Sequence, residues 1–305
     1  LEQFFRAQLW RFPNVSTIAI ANERGGMIGS GYVNTPTSTS VAVYRTTQFS
    51  RGAYSGSILN SQGRPIRKQI VAPDYDARER IWYQTPKQAG KAVWSPIYQY
   101  ISSQPQLGIS AGLPIYTPTG KLRGVLATDI TLSKLNQFLA DLRISRSGQV
   151  FLVEPSGLLV ASSINHPLFI DRAQNLVRIN AATSANPTMQ ATIATLIKRF
   201  GSLSQIQTPQ QIDFHQATTR QFIRVVPFQD QAGLSWLVVL VVPETDFMGE
   251  INANNFRTLL LCGLTLLATT LLGSLTARWI VKPLRKLQQA NQALARGEWQ
   301  PPLPE

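Results

Sequence analysis

The stretch YDARERIWYQTPKQAGKAVWSPIYQY, residues 75–100, holds two Trp, four Tyr and the pair Arg78 and Arg80 within 26 residues. Trp and Tyr combine a flat apolar surface with a polar group, and the planar guanidinium of Arg matches a carboxylate. Pro73 and Asp74 indicate a helix start, Gly90 indicates its end, and residues 92–101 have the pattern of a strand. A turn between helix and strand would gather these side chains, so the stretch predicts one wall of a small-molecule pocket.

The segments on either side of this stretch have the pattern of antiparallel strands joined by tight turns. Residues 24–26, Arg-Gly-Gly, form a turn typical of a hairpin, and Gly63 and Gly120 mark two further turns. An amphipathic helix follows the last strand, and Thr131 or Ser133 could cap its start. The predicted strands are 15–21, 27–33, 40–47, 53–59, 65–71, 107–116 and 122–130, and the predicted helices are 1–12, 74–89 and 132–142. This alternation predicts an α+β domain with an antiparallel sheet.

A second set of elements with a similar plan follows. Residues 149–153 and 158–162 form a predicted hairpin, and residues 187–200 form a predicted amphipathic helix. Residues 234–242, LSWLVVLVV, form an apolar strand suited to the centre of a sheet. The remaining predicted strands are 212–214 and 222–227. The sequence therefore predicts two α+β domains in tandem, each with its own sheet.

Residues 258–277 have the length and composition of a membrane-spanning helix. They form a run of 20 residues without a charge, TLLLCGLTLLATTLLGSLTA, between Arg257 and Arg278. At about 1.5 Å per residue, such a helix spans roughly 30 Å, the hydrocarbon thickness of a bilayer. Acidic residues precede the run and Lys and Arg follow it, so we expect residues 1–256 outside the inner (plasma) membrane and a cytoplasmic tail. An exported N-terminal part also predicts an earlier membrane helix upstream of Leu1.

The charge and cysteine content narrow the class of protein. The net charge is +13, and residues 1–143 carry 16 Lys and Arg against 7 Asp and Glu. These basic residues are scattered singly, which disfavours a nucleic-acid partner and leaves a solvated basic surface or a domain that attracts anionic solutes. Cys262, the single cysteine, lies in the apolar run, and His166 and His215 are far apart in the sequence. We therefore expect no disulfide, no metal centre and no cofactor.

Beyond the apolar run, residues 281–297 have the spacing of a coiled-coil helix. Leu284, Leu287, Asn291 and Leu294 recur at intervals of three and four residues, which makes an apolar seam with one polar position. Such a seam favours a homodimer of defined register, with a short cytoplasmic cap as the alternative. Residues 300–304, QPPLP, are a predicted connector.

This layout resembles the double Cache sensors of bacterial transmembrane signalling proteins, in which two PAS-like antiparallel sheets stand outside the membrane. The segment PLRKL at 283–287 is similar to the start of the first helix of a HAMP domain. The resemblance implies the end of an entering helix at 1–14, a membrane-distal Cache domain at 15–142, a membrane-proximal Cache domain at 143–250, a transmembrane region at 251–280 and the start of a HAMP linker at 281–305.

The most specific part of the resemblance lies within residues 75–100. Arg80, Trp82 and Tyr83 are similar to the R-x-W-Y signature of amino-acid-binding members of the family, and Tyr75 stands five residues earlier, where those members have Tyr. The resemblance implies that these Arg, Trp and Tyr groups hold the carboxylate of a ligand. The alternative is that Arg80 is a surface residue and Trp82 belongs to the core.

The resemblance also extends to the residues that would hold an ammonium group. Tyr98 matches the Tyr that follows an S-P segment, and Asp129 matches a downstream Asp. Two residues after Tyr98 the family pattern has Asp, whereas this chain has Tyr100. Replacing one of two carboxylates by a phenol would weaken ammonium binding by about 1–3 kcal/mol. The resemblance thus implies an intact carboxylate end and an altered ammonium end.

Several functions are compatible with this architecture. We favour a receptor input module that binds a small carboxylate or amino-acid-like ligand in the distal domain and signals through the membrane helix. A sensor histidine kinase of a two-component system is the favoured output, with a nucleotide cyclase, diguanylate cyclase or chemoreceptor as alternatives. An exported, membrane-anchored enzyme is disfavoured because the sequence has no recognisable nucleophile elbow or metal cluster. An adhesion protein would not need the HAMP-like segment.

Overall fold

Alternating apolar and polar residues between glycine turns fold residues 17–131 into a nine-stranded sheet whose pairings are all antiparallel. The strand order is β5-β4-β3-β2-β1-β9-β8-β6, and β7 also pairs with β8. These strands are β1 (Thr17–Asn22), β2 (Met27–Asn34), β3 (Thr39–Thr46), β4 (Gly52–Leu59), β5 (Pro65–Tyr75), β6 (Val93–Trp94), β7 (Tyr98–Gln99), β8 (Leu107–Tyr116) and β9 (Leu122–Thr131). The computed structural model describes residues 1–34, 39–102, 105–142, 144–173 and 175–297.

Three helices accompany this sheet: α1 (Glu2–Arg11), α2 (Ile81–Ala89) and α3 (Leu132–Asp141). Phe5 and Leu9 of α1 are buried with Ile18 of β1, so α1 covers one face of the sheet. The predicted cap of α3 is confirmed, because the Thr131 hydroxyl accepts a hydrogen bond from the backbone N–H of Lys134 at 3.4 Å.

A second antiparallel sheet has the order β11-β10-β16-β15-β14. The elements of this part of the chain are β10 (Gln149–Val153), β11 (Leu159–Ser162), β12 (Phe169–Arg172), β13 (Asn175–Arg178), α4 (Pro187–Phe200), β14 (Gln210–Gln216), β15 (Thr219–Gln229) and β16 (Ser235–Pro243). The apolar strand predicted at 234–242 is confirmed as β16, which lies at the centre of the sheet between β10 and β15. The strands β12 and β13 form a separate hairpin.

The two sheets share a buried core. Leu107 of β8 and Leu132 of α3 belong to the same apolar cluster as Phe151 of β10 and Ile193 of α4. Residues 1–246 accordingly form one compact unit. The predicted mixed α and β fold with antiparallel sheets is therefore confirmed.

A single 51-residue helix, α5 (Thr245–Ala295), follows the second sheet. Its section Arg257–Gln292 is long and apolar enough to cross a membrane, because it contains an 18-residue window with a mean hydropathy of 1.9. The first turn of α5 is tied to the loop before β10, because the Asp246 carboxylate accepts bonds from the Ser145 hydroxyl at 2.6 Å and from the Ser147 N–H at 2.7 Å. The predicted connector at 300–304 lies outside the described residues.

Two local predictions are wrong, and one hairpin was missed. The helix predicted at 74–89 begins only at Ile81, because β5 continues to Tyr75 and Asp76 caps a short 3-10 turn, Ala77–Glu79. The strand predicted at 92–101 is two short strands, β6 and β7, which flank Pro96, a residue without the N–H that a ladder requires. The hairpin of β12 and β13 was not predicted.

Candidate functional site

A cavity of about 580 Å³ lies against one face of the nine-stranded sheet. Its floor includes small residues on four strands of the sheet, β1, β3, β4 and β9, namely Ala19, Ala42, Gly56 and Ala127. Small side chains at these positions leave space that larger ones would fill. The cavity has the volume of an ordinary small-molecule site, for which about 300–1,000 Å³ is typical.

The register of the sheet places a row of lining residues across this floor. Asp129 of β9 pairs with Thr17 of β1, and on the far side of the sheet Ala42 pairs with Ile58, which pairs with Arg67 of β5. The row continues between them, because Thr17 and Ala42 both pair with Gly31. The cavity therefore spans the width of the sheet.

Six of the seven residues singled out in the sequence line this one cavity: Tyr75, Arg80, Trp82, Tyr98, Tyr100 and Asp129. They come from β5, the start of α2, β7 and the residue after it, and β9. The seventh, Tyr83, lies outside the lining. Its hydroxyl donates to Glu23, and Lys87 lies 5.7 Å from the centre of its ring.

Arg80 is half-buried at the residue before α2 and has few partners. Its Nη2 donates to the backbone carbonyl of Gln99 at 2.8 Å, and its guanidinium carbon lies 6.0 Å from the centre of the Tyr98 ring. Within the part of the chain that the structure describes, no carboxylate forms an ion pair with Arg80. Arg78 differs, because it is paired with Asp76 at 2.7 Å. Arg80 therefore keeps N–H groups available to a ligand.

Asp129 ends a buried hydrogen-bond relay. The Tyr98 hydroxyl lies 2.8 Å from the Ser110 hydroxyl, which donates to the Asp129 carboxylate at 2.6 Å. Burial raises the pKa of Asp129 from 3.8 to about 7, and the Ser110 bond opposes this rise only in part. The second carboxylate oxygen of Asp129 has no hydrogen-bond partner among the described residues. It is thus an acceptor, or a donor when protonated, for a ligand in the cavity.

Tyr100, the departure from the family pattern, fills the space beside Asp129. Its hydroxyl is buried and makes no hydrogen bond of normal geometry with a described residue. Burial raises the pKa of Tyr100 most, followed by the charge of Asp129, and the nearby Tyr98 hydroxyl raises it less. The Tyr98 hydroxyl is already hydrogen-bonded to Ser110. A Cβ on Gly108 would collide with the Tyr100 hydroxyl. Glycine at 108 therefore makes room for the phenol ring.

Stacked tyrosines form a further part of the lining. The ring of Tyr54 lies 4.6 Å from that of Tyr75 and 6.0 Å from that of Tyr44. Burial raises the pKa of Tyr75 to about 12, although Trp82 and Arg80 lower it. These phenols are neutral at physiological pH, so they act as hydrogen-bonding groups and not as charges.

Two cations that the sequence analysis did not single out also line the cavity. Lys134 is half-buried at the start of α3; its ammonium donates to the Val15 carbonyl at 3.2 Å and lies 4.5 Å from the centre of the Tyr32 ring. Burial lowers the pKa of Lys134. Arg67 is exposed at the edge strand β5. In the described part of the chain, neither side chain has an ion-pair partner.

Gln99 connects this site to the second half of the compact unit. Its carbonyl accepts the bond from Arg80, and its side-chain oxygen accepts a bond from the backbone N–H of Leu176 at 3.3 Å. Leu176 belongs to β13, so one residue contacts both the cavity arginine and the β12–β13 hairpin.

Two site residues that the sequence analysis did not single out, Ser110 and Arg67, lie on strands whose register follows from predicted turns. The predicted turn around Gly120 fixes the register of β8 and β9, and this register pairs Ser110 with Asp129. The predicted hairpin around Gly63 likewise brings Arg67 opposite Ile58. Neither turn alone predicts that these residues belong to the site, because this also depends on the order of the neighbouring strands, which the sequence does not give.

The chain thus combines antiparallel sheets, a ligand-sized cavity and a helix that can cross a membrane. The chain belongs to the dCache_1 family, described as Cache domain, whose model matches residues 3–251. It thus carries a Cache domain followed by an apolar C-terminal helix that fits a membrane span.

Individual proteins resemble the chain more distantly. The methyl-accepting chemotaxis protein McpB of Bacillus subtilis (strain 168) is 28% identical over 102 residues, which are 32% of this chain and 14% of McpB. The chain therefore spans a small part of this relative. The extracellular domain of the proposed histidine kinase mmHK1S-Z3 is 15% identical, with a TM-score of 0.47 over 82% of this chain and 81% of that chain. The ligand-binding domain of the amino acid chemoreceptor PctC of Pseudomonas aeruginosa PAO1, in complex with GABA, is 17% identical, with a TM-score of 0.41 over 75% of each chain.

Proposed function

We propose that this protein is the input module of a membrane receptor that binds a small carboxylate or amino-acid-like ligand in the cavity of the nine-stranded sheet. Arg80 is the proposed carboxylate clamp, supported by Trp82, Tyr75 and Tyr98, and Asp129 faces the other end of the ligand. Tyr83 has no part in this proposal, because it lies outside the cavity lining.

The observation that carries the proposal is the half-buried guanidinium of Arg80, which lines the cavity without a carboxylate partner among the described residues. A charged group that loses water on folding is favoured by a counter-charge. A ligand carboxylate can accept two parallel bonds from the guanidinium, each worth about 1.5–3 kcal/mol net. The Gln99 carbonyl occupies one donor only, so such a ligand would add bonds without displacing an ion pair.

The ammonium end of an amino-acid-like ligand would rest on Asp129. An ammonium favours the ionised form of this carboxyl, so its binding would release a proton near the pKa of about 7. Tyr100 supplies no second carboxylate, and its hydroxyl is enclosed. The cavity therefore favours recognition of the acid group over recognition of the amine.

The test is a thermal-shift screen of the full chain in detergent against amino acids, simple carboxylates and amines, repeated with Arg80→Met. We expect carboxylates to raise the midpoint of unfolding and this rise to be lost in the variant. Arg78→Met is the matched control, since Arg78 is close in sequence but outside the cavity. Equal binding of carboxylates by Arg80→Met and the wild type would refute the proposed clamp.

The membrane topology and the output are further parts of the proposal. The apolar section of α5 supports a span with residues 1–256 outside and the C-terminal tail in the cytoplasm. We propose a distal Cache domain at 15–142 and a proximal one at 143–250, with a HAMP linker from residue 281. The apolar residues of its seam, Leu284, Leu287 and Leu294, are all exposed on α5, which supports a homodimer.

We propose a sensor histidine kinase as the output. A chemoreceptor is the second candidate, favoured by the match to McpB. Ligand-dependent autophosphorylation with labelled ATP, measured in membranes that contain the whole receptor, tests the first. Ligand-dependent methylation of the receptor would instead support the second.

A further inference from the structure

Several cations around the nine-stranded sheet, outside the cavity, form ion pairs with acids. These ion pairs are Arg45 with Glu2, Arg51 with Asp74, Arg78 with Asp76 and Lys87 with Glu23. The cations that line the cavity, Arg67, Arg80 and Lys134, have no such partner among the described residues. Positive charge is therefore left uncompensated inside the cavity.

Asp129 is the one acidic residue among the described residues that line the cavity. It does not offset three cations, because burial raises its pKa to about 7 and it is partly protonated at neutral pH. A cavity of one sign with low-dielectric walls concentrates ligands of the opposite sign. A zwitterion such as a simple amino acid brings no net charge, so it would leave most of this positive charge uncompensated.

Lys134, like Arg80, is a half-buried cation that an anionic ligand group would stabilise. Its ammonium is half-buried, its pKa is lowered by burial, and its partners are a carbonyl and the face of an aromatic ring. An ammonium has three N–H donors, and the Val15 carbonyl accepts one of them. The remaining donors suit an anionic group.

Lys134 and Arg80 approach the cavity from different walls. Arg80 stands before α2 and is held by Gln99 of β7, whereas Lys134 lies in the first turn of α3. The Lys134 ammonium contacts the carbonyl of Val15, two residues before Thr17, which pairs with Asp129. The two cations thus stand at separate positions around Asp129, within a cavity of about 580 Å³ that exceeds the size of a single carboxylate group.

From this charge distribution we infer that the cavity takes a small acid with two anionic groups, a dicarboxylate, which binds one group to Arg80 and the other to Lys134. This inference rests on the proposed role of Arg80 and adds Lys134 as the residue that determines specificity. Arg67, at the exposed rim, contributes attraction at longer range.

The experiment compares diacids with their own monomethyl esters, so that one charge changes and the carbon chain stays constant. The probes are succinate, glutarate and adipate, and the monomethyl ester of each. Binding to the full chain in detergent is measured by isothermal titration calorimetry at pH 7. We expect the best diacid to bind at least about tenfold more tightly than its ester, as one charge-assisted hydrogen bond predicts.

Lys134→Met keeps the apolar stem of the side chain and removes its charge. In this variant we expect the difference between diacid and ester to disappear while the affinity for the ester stays within about twofold. Lys134→Arg should restore the preference. Lys68→Met is the control, because Lys68 is exposed on β5 next to Arg67 and does not line the cavity.

The outcomes separate this inference from the proposed function. If the esters bind as tightly as the diacids, or Lys134→Met weakens both equally, the role of Lys134 is wrong and the clamp is unaffected. If Arg80→Met binds the acids as the wild type does, the proposed clamp is wrong. Absence of binding by all six probes would overturn both.

Discussion

Replacing Asp129 by Asn should stabilise the empty protein above neutral pH. The folded pKa of Asp129 is about 7, against 3.8 for an unperturbed carboxyl, a difference of about three pH units. Each unit corresponds to about 1.4 kcal/mol, so the buried carboxylate costs the folded state on the order of 4 kcal/mol at pH 8. The Asn amide avoids this cost, although amide N–H groups without acceptors would reduce the gain by about 1–3 kcal/mol. A net gain of about 1–3 kcal/mol is expected.

The sign of the pH dependence follows from the raised pKa. The folded state holds the Asp129 proton more tightly than the unfolded state does. The contribution of this group to the free energy of unfolding is therefore largest below pH 3.8. The wild type should lose this contribution as the pH rises from about 4 to about 7 and then change no further. In Asp129→Asn the free energy of unfolding should not show this fall between about pH 4 and about pH 7.

The assay is chemical denaturation of wild type and Asp129→Asn, without added ligand, at intervals from pH 4 to pH 9. Ser110→Ala is a useful comparison, because it removes the bond that favours the ionised carboxylate and should raise the pKa of Asp129 further. The reasoning is refuted if the two unfolding curves differ by the same free energy at every pH. A lower free energy of unfolding for Asp129→Asn than for the wild type at pH 8 would also refute it.

Three further substitutions test other contacts. Tyr100→Phe removes a buried hydroxyl that has no hydrogen bond and should raise the free energy of unfolding by about 1 kcal/mol; a loss of that size would show that the hydroxyl is satisfied. Gly108→Ala should cost about 1–3 kcal/mol because its Cβ would collide with the Tyr100 ring and lie 2.9 Å from the Ile130 carbonyl oxygen; a Tyr100→Ala background should relieve only the first part of this cost, which a double-mutant cycle measures. Asp246→Ala should lower the unfolding free energy by about 2 kcal/mol at pH 7. Burial raises the pKa of Asp246, but the bonds from Ser145 and Ser147 outweigh it and lower the pKa, so the difference from wild type should shrink below pH 3.8; a difference independent of pH would contradict this origin.

The strands of the first sheet were predictable because their alternating patterns end at glycine turns. Gly63 and Gly120 both have a positive φ, as the turns require. The β12–β13 hairpin carries no such pattern: Ile170, Asp171 and Arg172 are all exposed, so no buried face marks the strand. β5 was predicted too short at its C-terminal end, because Pro73 and Asp74 were interpreted as a helix start whereas the strand continues through them to Tyr75.

The candidate site was predictable as a set of residues but not as a geometry. Trp82 and Tyr83 are neighbours on α2, and successive helical residues point about 100° apart, so the sequence alone does not tell which of them faces the cavity. Lys134 and Arg67 are visible in the sequence, but whether an acidic residue pairs with them depends on the three-dimensional positions of the other charged residues. Gly108 could be connected with Tyr100 only through the pairing of β7 with β8.

The small residues beneath the cavity give the protein a way to change its ligand during evolution. Ala19, Ala42 and Ala127 already have a Cβ that points along the cavity floor, so a larger side chain at one of them would shorten the cavity and leave the sheet pairing unchanged. Gly56 is different, because a Cβ there would lie 2.9 Å from the Tyr44 ring. Descendants of this chain can therefore explore new ligands by single substitutions at the three alanines, whereas the glycine can change only together with its tyrosine neighbour.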